Sequence, residues 1–201
     1  MDGLESRGNF LVVRATNRRD ALDPALLRPG GRLGDIVLEV PRPNRHAARE
    51  IFARHLPAST PFAVRDDDDP SSDRRDAIID AGVSRIYAPN GHGELVTLTL
   101  RDGKRRQVTA ADLVSGAVIA NIARRAVERA CPREVESGAV GLEVSDILEA
   151  VDLEFESAAR TLTPSNCRRF LERLPQDVDV VRVDRPVAST TRRAYRFLSV
   201  A

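Results

Sequence analysis

Lysine is nearly absent from the sequence: Lys104 is the only lysine among 31 basic residues, and the others are arginines. A P-loop needs the pattern G-x-x-x-x-G-K-[ST], because backbone amides and its lysine together hold the phosphates of a nucleotide. Lys104 instead follows Asp102 and Gly103 in a predicted turn, so the sequence contains no P-loop. No apolar strand ends in paired acids that would hold magnesium, and we therefore exclude a self-sufficient ATPase. We interpret the arginine excess as the coding bias of a GC-rich genome.

Cysteines and long apolar runs are also scarce. Cys131 and Cys167 lie far apart without the spacing of a metal site, which favours a reducing cytoplasm as the compartment. The apolar runs are too short to cross a bilayer, and the first residues do not resemble a signal peptide. Because the net charge is only +1, no global field attracts nucleic acid or a membrane. The length of 201 residues allows one ordinary domain or two small ones.

The most informative stretch runs from Ala15 to Arg32 and reads A-T-N-R-R-D-A-L-D-P-A-L-L-R-P-G-G-R. It lies between two short apolar runs, which predicts a strand, a short helix, a turn and a second strand. Asn17, at the end of the first strand, can orient water beside a phosphate. Arg28 and Arg32 can stabilise charge on a phosphoryl group during transfer. The alternative for each single residue is an ordinary polar cap of a strand or turn.

The whole string closely resembles the second region of homology of AAA ATPases, whose usual form is A-T-N-R-x-D-x-L-D-P-A-L-L-R-P-G-R. By this resemblance, Asn17 matches the sensor-1 position, Arg28 matches the first arginine finger and Arg32 matches the second. Gly31 is an extra glycine relative to that form, and it displaces Arg32. The resemblance implies catalytic roles for these three residues and ATP or ADP as the cofactor. The magnesium would be held by motifs that these 201 residues lack.

The remainder of the chain is predicted to be mainly helical. Apolar periodicity and capping residues predict four helices, roughly 44–56, 72–87, 115–130 and 144–158. Thr109 is expected to cap a short turn with Asp112. A β-hairpin at about 94–108 is predicted to close with a type I′ turn at Asp102-Gly103. Its basic tip is interpreted as solvated rather than as a nucleic-acid contact, because no aromatic residues alternate with the charges.

Two more positions in the helical part are candidate nucleotide contacts. His55 lies on the predicted apolar face of the first helix, where a lone histidine is more often a core residue. Ser115 and Gly116 open the best helix, whose free amides can hold an anion, although a tight helix cap explains them equally. In AAA modules, the helix matching that of His55 often carries a histidine that contacts the ribose. Ser115, Gly116 and Ala117 match the sensor-2 pattern of AAA modules, which implies a nucleotide contact there. No metal site is predicted, and the acid run 66–69 is interpreted as a solvated loop.

Longer segments narrow the resemblance. They read R-I-Y-A, L-V-T-L-T-L-R-D-G, D-L-V-S-G-A-V-I-A-N-I-A-R-R-A and G-L-E-V-S-D-I-L-E-A-V-D-L-E-F. These segments look like the carboxyl part of the actinobacterial proteasome-associated ATPases, hexameric rings that unfold tagged proteins and thread them into a 20S proteasome. The resemblance runs from about residue 2 to about residue 186. Family members end in a Gly-Gln-Tyr-Leu-like docking tail, whereas this sequence ends in R-F-L-S-V-A.

The resemblance implies the domain organisation. Residues 1–43 would be an α/β remnant of the AAA large subdomain, with strands that belong to a parallel sheet. Residues 44–160 would be the small helical lid subdomain with the β-hairpin inserted. Residues 161–201 would be a carboxyl-terminal extension with a short helix and a strand at residues 178–183. Left alone, the strands of the remnant would expose sheet edges, so pairing with another copy is expected.

Two functions remain open. In the first, the chain is the carboxyl-terminal portion of a hexameric, cytoplasmic AAA ATPase that acts as an unfoldase, a type of chaperone. In the second, it is a catalytically inactive pseudo-ATPase module that binds a complete AAA ring. Both imply copies of itself or full-length AAA subunits as partners, and the first adds the 20S proteasome. Neither implies nucleic acid or a membrane.

Overall fold

The computed structural model describes residues 15, 38–63, 71–88, 94–138, 140–171, 174 and 179–185. The chain divides into two compact units, residues 1–41 and residues 42–201, which are taken separately. In the first unit, the described residues 15 and 38–41 are all exposed. The catalytic candidates Asn17, Arg28 and Arg32 lie outside the described residues and stay predictions. The predicted strands of the AAA remnant lie outside them too, except for residues 38–40, which are in no strand.

The second unit contains six helices and three strands among its described residues. The helices are α1 (Arg45–His55), α2 (Ser71–Ile86), α3 (Ala110–Leu113), α4 (Gly116–Ser137), α5 (Val144–Thr161) and α6 (Cys167–Phe170). The strands are β1 (Glu94–Leu100), β2 (Arg105–Thr109) and β3 (Val180–Asp184). All four predicted helices are present, and α4 and α5 extend beyond their predicted carboxyl ends. Within the described ranges, no helix combines the length and the apolar character needed to span a lipid bilayer.

Short polar side chains start the helices where the sequence predicted them. The Oδ1 atom of Asn44 accepts the N–H of Ala47 at 2.8 Å, which satisfies an amide in the first turn of α1. Thr109 and Asp112 form a capping box at the start of α3, and Asp112 accepts both the Thr109 N–H and its hydroxyl at 2.9 Å. These caps confirm the predicted start of α1 and the predicted Thr109–Asp112 turn.

The three strands form one antiparallel sheet in the order β2-β1-β3. The alternation of β1 buries one face, and its threonines lie on the other. The predicted type I′ turn is wrong, because positive φ angles occur only at glycines among the described residues and Asp102 is not one of them. The N–H of Leu100 donates to the carbonyl of Lys104 at 2.9 Å, which closes a loop of three residues, 101–103. Within it, Gly103 has φ +82° and donates its N–H to the carbonyl of Leu100 at 2.9 Å. This geometry fits a turn that ends in a left-handed residue.

The core forms where the apolar faces of α1, α2, α4 and α5 meet one another and the sheet. The largest fully buried side chains are Phe52, Leu56, Ile79, Ile86, Leu98, Ile119, Ile122, Leu142, Ile147, Leu162, Val83 and Val96. The helical spacing of these residues in the sequence is what directs them to one side of each helix. The prediction that His55 lies on the buried face of α1 is wrong, because His55 is exposed while Phe52 and Leu56 are buried.

Candidate functional site

The first turn of α4 carries three of the predicted contact residues. Ser115 is the N-cap, with an extended backbone, and its Oγ accepts the N–H of Val118 at 3.3 Å. Gly116 and Ala117 follow it and are exposed. Ser115 therefore acts as the tight helix cap that the sequence allowed. The turn also presents the positive end of a 22-residue helix dipole to its surroundings.

Helix α1 packs beside this turn. A Cβ atom built on Gly116 would lie 4.0 Å from the Cδ1 atom of Ile51, so the two helices are in ordinary contact there. His55 lies one helical turn after Ile51 and is exposed. His55 therefore lies on the same side of α1 as Ile51, one turn beyond the contact with the start of α4.

An open groove of about 440 Å³ runs between the carboxyl end of α1 and the surface of α4. It is lined by His55, Ser59, Thr60, Pro61, Ala120, Arg124, Val127 and Glu128. Ala120 lies one turn after Gly116 on α4, and Arg124 one turn further along. The groove therefore brings His55 and the second and third turns of α4 to one surface. Its lining combines one histidine, one ion pair, small hydroxyls and aliphatic groups.

The short segment before α1 is attached to the same region, and no pattern in the sequence predicts this contact. Arg42 donates from Nη1 to the carbonyl of Val114 at 3.0 Å and from Nη2 to the carbonyl of Phe170 at 2.7 Å. The hydroxyl of Tyr87 donates to the carbonyl of Pro43 at 2.6 Å, and burial raises the pKa of this phenol. Val114 directly precedes the N-cap of α4, so the segment contacts the backbone that begins the candidate site.

The described residues provide no magnesium site. Within them, no group of three or more histidine, cysteine, aspartate or glutamate side chains is arranged to hold a metal ion. Exposed amides at the start of a helix fit a phosphate or another anion. The donor set of the described residues thus fits part of a nucleotide but not its metal.

The hairpin tip has its basic side chains next to acidic ones. Arg101 lies 3.3 Å from a carboxylate oxygen of Asp179, and Lys104 lies 3.1 Å from one of Asp102. Both basic side chains are largely exposed. The N–H of Lys104 also donates to Asp102, and this is the main cause that lowers the pKa of the Asp102 carboxyl. The pairing supports the interpretation of a solvated tip.

Comparison with known proteins identifies similar sequences over most of the chain. Residues 43–183 match the family model described as "ARC, AAA+ ATPase lid domain". An "AAA ATPase forming ring-shaped complexes" from Corynebacterium efficiens is 37% identical over 186 residues, which cover 91% of this chain and 33% of the relative. A "Proteasome-associated ATPase" from Acidimicrobium ferrooxidans is 34% identical over 190 residues, which cover 91% of this chain and 32% of the relative.

A third relative, from Corynebacterium kroppenstedtii, is also named as an AAA ATPase forming ring-shaped complexes. It is 37% identical over 199 residues, which cover 95% of this chain and 34% of the relative. The chain thus spans about a third of the length of these curated relatives, and the match lies in their carboxyl-terminal part.

Proposed function

We infer the function of this chain from one premise: it belongs to the AAA ATPases, through an ARC-type lid domain that covers residues 43–183. We propose that the chain is the carboxyl-terminal portion of a ring-forming ATPase and supplies the lid of its nucleotide site. The observation that carries this proposal is the groove that brings His55 to the same surface as α4. The groove begins one turn after Gly116, and the start of α4, where Gly116 and Ala117 are exposed, can hold an anion beside it.

In this proposal, the chain's own residues bind and orient ATP or ADP. The exposed N–H groups of Gly116 and Ala117 face the phosphates or the base, and His55 contacts the ribose. Ser115 holds the first turn of α4 in place through its bond to the N–H of Val118. The nucleotide, when bound with magnesium held by other motifs, supplies the phosphoryl group whose transfer drives the ring.

The three catalytic candidates act at the phosphoryl group itself. Asn17 orients the attacking water. Arg28 stabilises the charge on the phosphoryl group during its transfer from the nucleotide of a neighbouring copy. Arg32 has the same role in the pattern, although Gly31 displaces it by one residue. Support for these roles comes from the matched string and from family membership alone.

The assembly is proposed from the relatives. Two of them are named for ring-shaped complexes, and one is named as proteasome-associated. We propose that this chain works within such a ring in the cytoplasm, alone or with full-length AAA subunits. There it would help to unfold proteins, with the 20S proteasome as the downstream partner.

The test is a chimera in which this chain replaces the carboxyl third of a full-length ring-forming relative. We expect the chimera to hydrolyse ATP. Arg28→Ala is expected to lower kcat on the order of a thousandfold, because an arginine finger stabilises charge only in the transition state. Arg105→Ala, on the exposed part of β2, is the matched control and should leave the rate unchanged. An unaltered rate in the Arg28→Ala chimera would remove the finger role.

The same chimera separates the two candidate functions. A chimera that forms rings but hydrolyses no ATP would favour the inactive module that binds a complete ring. In that case, the isolated chain should co-purify with an unmodified full-length relative. A chain that remains monomeric beside that relative would count against the module.

A further inference from the structure

Three side-chain contacts hold the segment that leads into α1. The guanidinium of Arg42 donates to two backbone carbonyls far away in the sequence, those of Val114 and Phe170. The next residue, Pro43, accepts the hydroxyl of Tyr87 from the end of α2. Asn44 then caps α1. The segment is therefore joined to α2, to α6 and to the loop before α4 at once.

The carbonyl of Val114 is the most consequential of these acceptors. It shares one planar peptide unit with the N–H of Ser115, so a fixed carbonyl direction fixes the plane from which Ser115 enters α4. The Val114 side chain is fully buried, and the N–H of Val114 donates to the carbonyl of Ala110, the first residue of α3. Arg42 thus acts on the single residue that joins the end of α3 to the N-cap of α4.

The geometry of an arginine suits both contacts from one side chain. Its planar guanidinium presents several N–H groups in fixed directions, whereas a lysine offers one compact ammonium. The two carbonyls come from residues 114 and 170, in separate parts of the fold. The contact with the Val114 carbonyl is partly buried, so losing this donor would leave that carbonyl to find another by moving.

We propose that Arg42 is a positioning residue that orients the first turn of α4 toward bound nucleotide. This inference rests on the proposed function, since it takes that turn as a nucleotide contact. Arg42 acts through the Val114–Ser115 peptide and does not touch the nucleotide. Its loss should therefore weaken binding and leave the chemical step intact, which appears as a rise in KM at constant kcat.

The positioning is tested on the full chain by amide hydrogen exchange. In Arg42→Ala, we expect exchange of the amides of Val118 and Ile119, which both donate to Ser115, to rise about tenfold, as one lost charged hydrogen bond predicts. In Arg42→Lys, a smaller rise is expected, because one contact can remain. The amides of β1 and β2 should keep their protection, and Arg105→Ala should match the unsubstituted chain throughout.

Three results would overturn the positioning role. The first is unchanged protection of the amides of Val118 and Ile119 in both Arg42 variants. The second is a rise of equal size in the β1–β2 hairpin, which would indicate general destabilisation. The third concerns the case in which circular dichroism shows that Arg42→Ala does not fold. Arg42→Lys then replaces it, and unchanged protection of the first turn of α4 in Arg42→Lys overturns the proposal.

The nucleotide role is tested in the ATPase chimera. Arg42→Ala should raise the KM for ATP about tenfold and keep kcat within about twofold. A lower kcat at constant KM would overturn the nucleotide role. If the unsubstituted chimera hydrolyses no ATP, the proposed function fails and the nucleotide role of Arg42 fails with it. Hydrogen exchange still decides separately whether Arg42 positions α4.

Discussion

Arg133 of α4 and Asp146 of α5 form a two-pronged ion pair, with Nε 3.2 Å from Oδ1 and Nη2 2.9 Å from Oδ2. Asp146 is only 5% exposed, and it also accepts the N–H of Glu143 at 2.9 Å in the capping box that starts α5. Arg133 further donates to the carbonyl of Gly141. The hydrogen bond to Asp146 is the main cause that raises the pKa of Arg133. One arginine therefore joins the end of α4 to the following loop and to the start of α5.

Replacing Arg133 should cost much more stability than replacing an exposed arginine of the same helix. Arg133→Ala leaves Asp146 buried without its cation, and we expect a loss of about 3 kcal/mol in the free energy of unfolding. Arg124→Ala is the matched control, because its pair with Glu128 is exposed and contributes about 0.5 kcal/mol or less. Urea denaturation measures both. Equal losses in the free energy of unfolding would show that the contacts of Arg133 stabilise the fold no more than an exposed ion pair does.

Gly141 is expected to tolerate no side chain. Its φ is +93°, and a Cβ atom there would lie 2.6 Å from the carbonyl carbon of Phe62 and 2.7 Å from the nitrogen of Ala63. Gly141→Ala should therefore destabilise the fold by roughly 3 kcal/mol or more, since a backbone clash adds to the left-handed strain. Gly103→Ala is the control, with φ +82° and no atom within 4 Å, and should lose only about 1–2 kcal/mol. Similar losses in thermal unfolding would contradict the clash.

Local sequence patterns predicted the helices because each helix buries its own periodic apolar face. Ile147, Val151 and Phe155 recur at helical spacing, and all three are buried in α5. The caps at Asn44 and Thr109 are equally local, since each involves an amide or a carboxylate three residues away. Features that a few neighbouring residues determine were therefore readable from the sequence.

Contacts between distant residues were not readable in this way. β3 was predicted as a strand of a carboxyl-terminal extension, but its antiparallel pairing with β1 joins residues eighty or more positions apart. His55 was wrongly placed on the apolar face of α1, whose buried side chains are Ala48 and Phe52, while His55 is exposed. The sequence contains no signal that distinguishes these outcomes from their alternatives.

The contacts of the arginines were also not predictable from the sequence. The arginines were interpreted together as a coding bias, yet several donate to backbone carbonyls at the ends of elements. Arg75 contacts the carbonyls of Ala53 and Leu56 at the end of α1, and Arg185 contacts that of Leu162 after α5. Capping carbonyls from a distance uses the forked guanidinium, which lysine lacks. The same holds for the candidate site. The first turn of α4 was predicted from a local pattern, whereas the contacts of Arg42 were not.

The two cysteines should differ strongly in reactivity. Cys131 is exposed on α4, whereas Cys167 is fully buried, and burial raises the pKa of the Cys167 thiol. With a disulfide reagent at pH 8, we expect one thiol to react quickly and Cys167 to react at least about a hundredfold more slowly, because it needs local opening. Cys131→Ser should remove the fast phase. Two fast equivalents of thiol would contradict the burial of Cys167.

Tyr87 should contribute stability through its bond to the segment before α1. Its hydroxyl donates to the carbonyl of Pro43 at 2.6 Å. Tyr87→Phe removes the donor and leaves a partly buried carbonyl, so we expect a loss of about 1 kcal/mol in the free energy of unfolding near pH 7. Urea denaturation of the two chains measures the difference, and no difference would mean that water replaces the bond without cost.

The same pair of chains should show a defined pH dependence. Burial raises the pKa of Tyr87 above its ordinary value of 10.0, so the folded chain keeps this phenol protonated where the unfolded chain ionises it. The unfolded state then binds fewer protons, and the stability from Tyr87 falls as pH rises above about 10. The gap between the unsubstituted chain and Tyr87→Phe should therefore narrow between about pH 9 and pH 11. The raised pKa of Cys167 acts in both chains and cancels in their difference. A gap that stays constant or widens over this range would contradict the burial of the phenol.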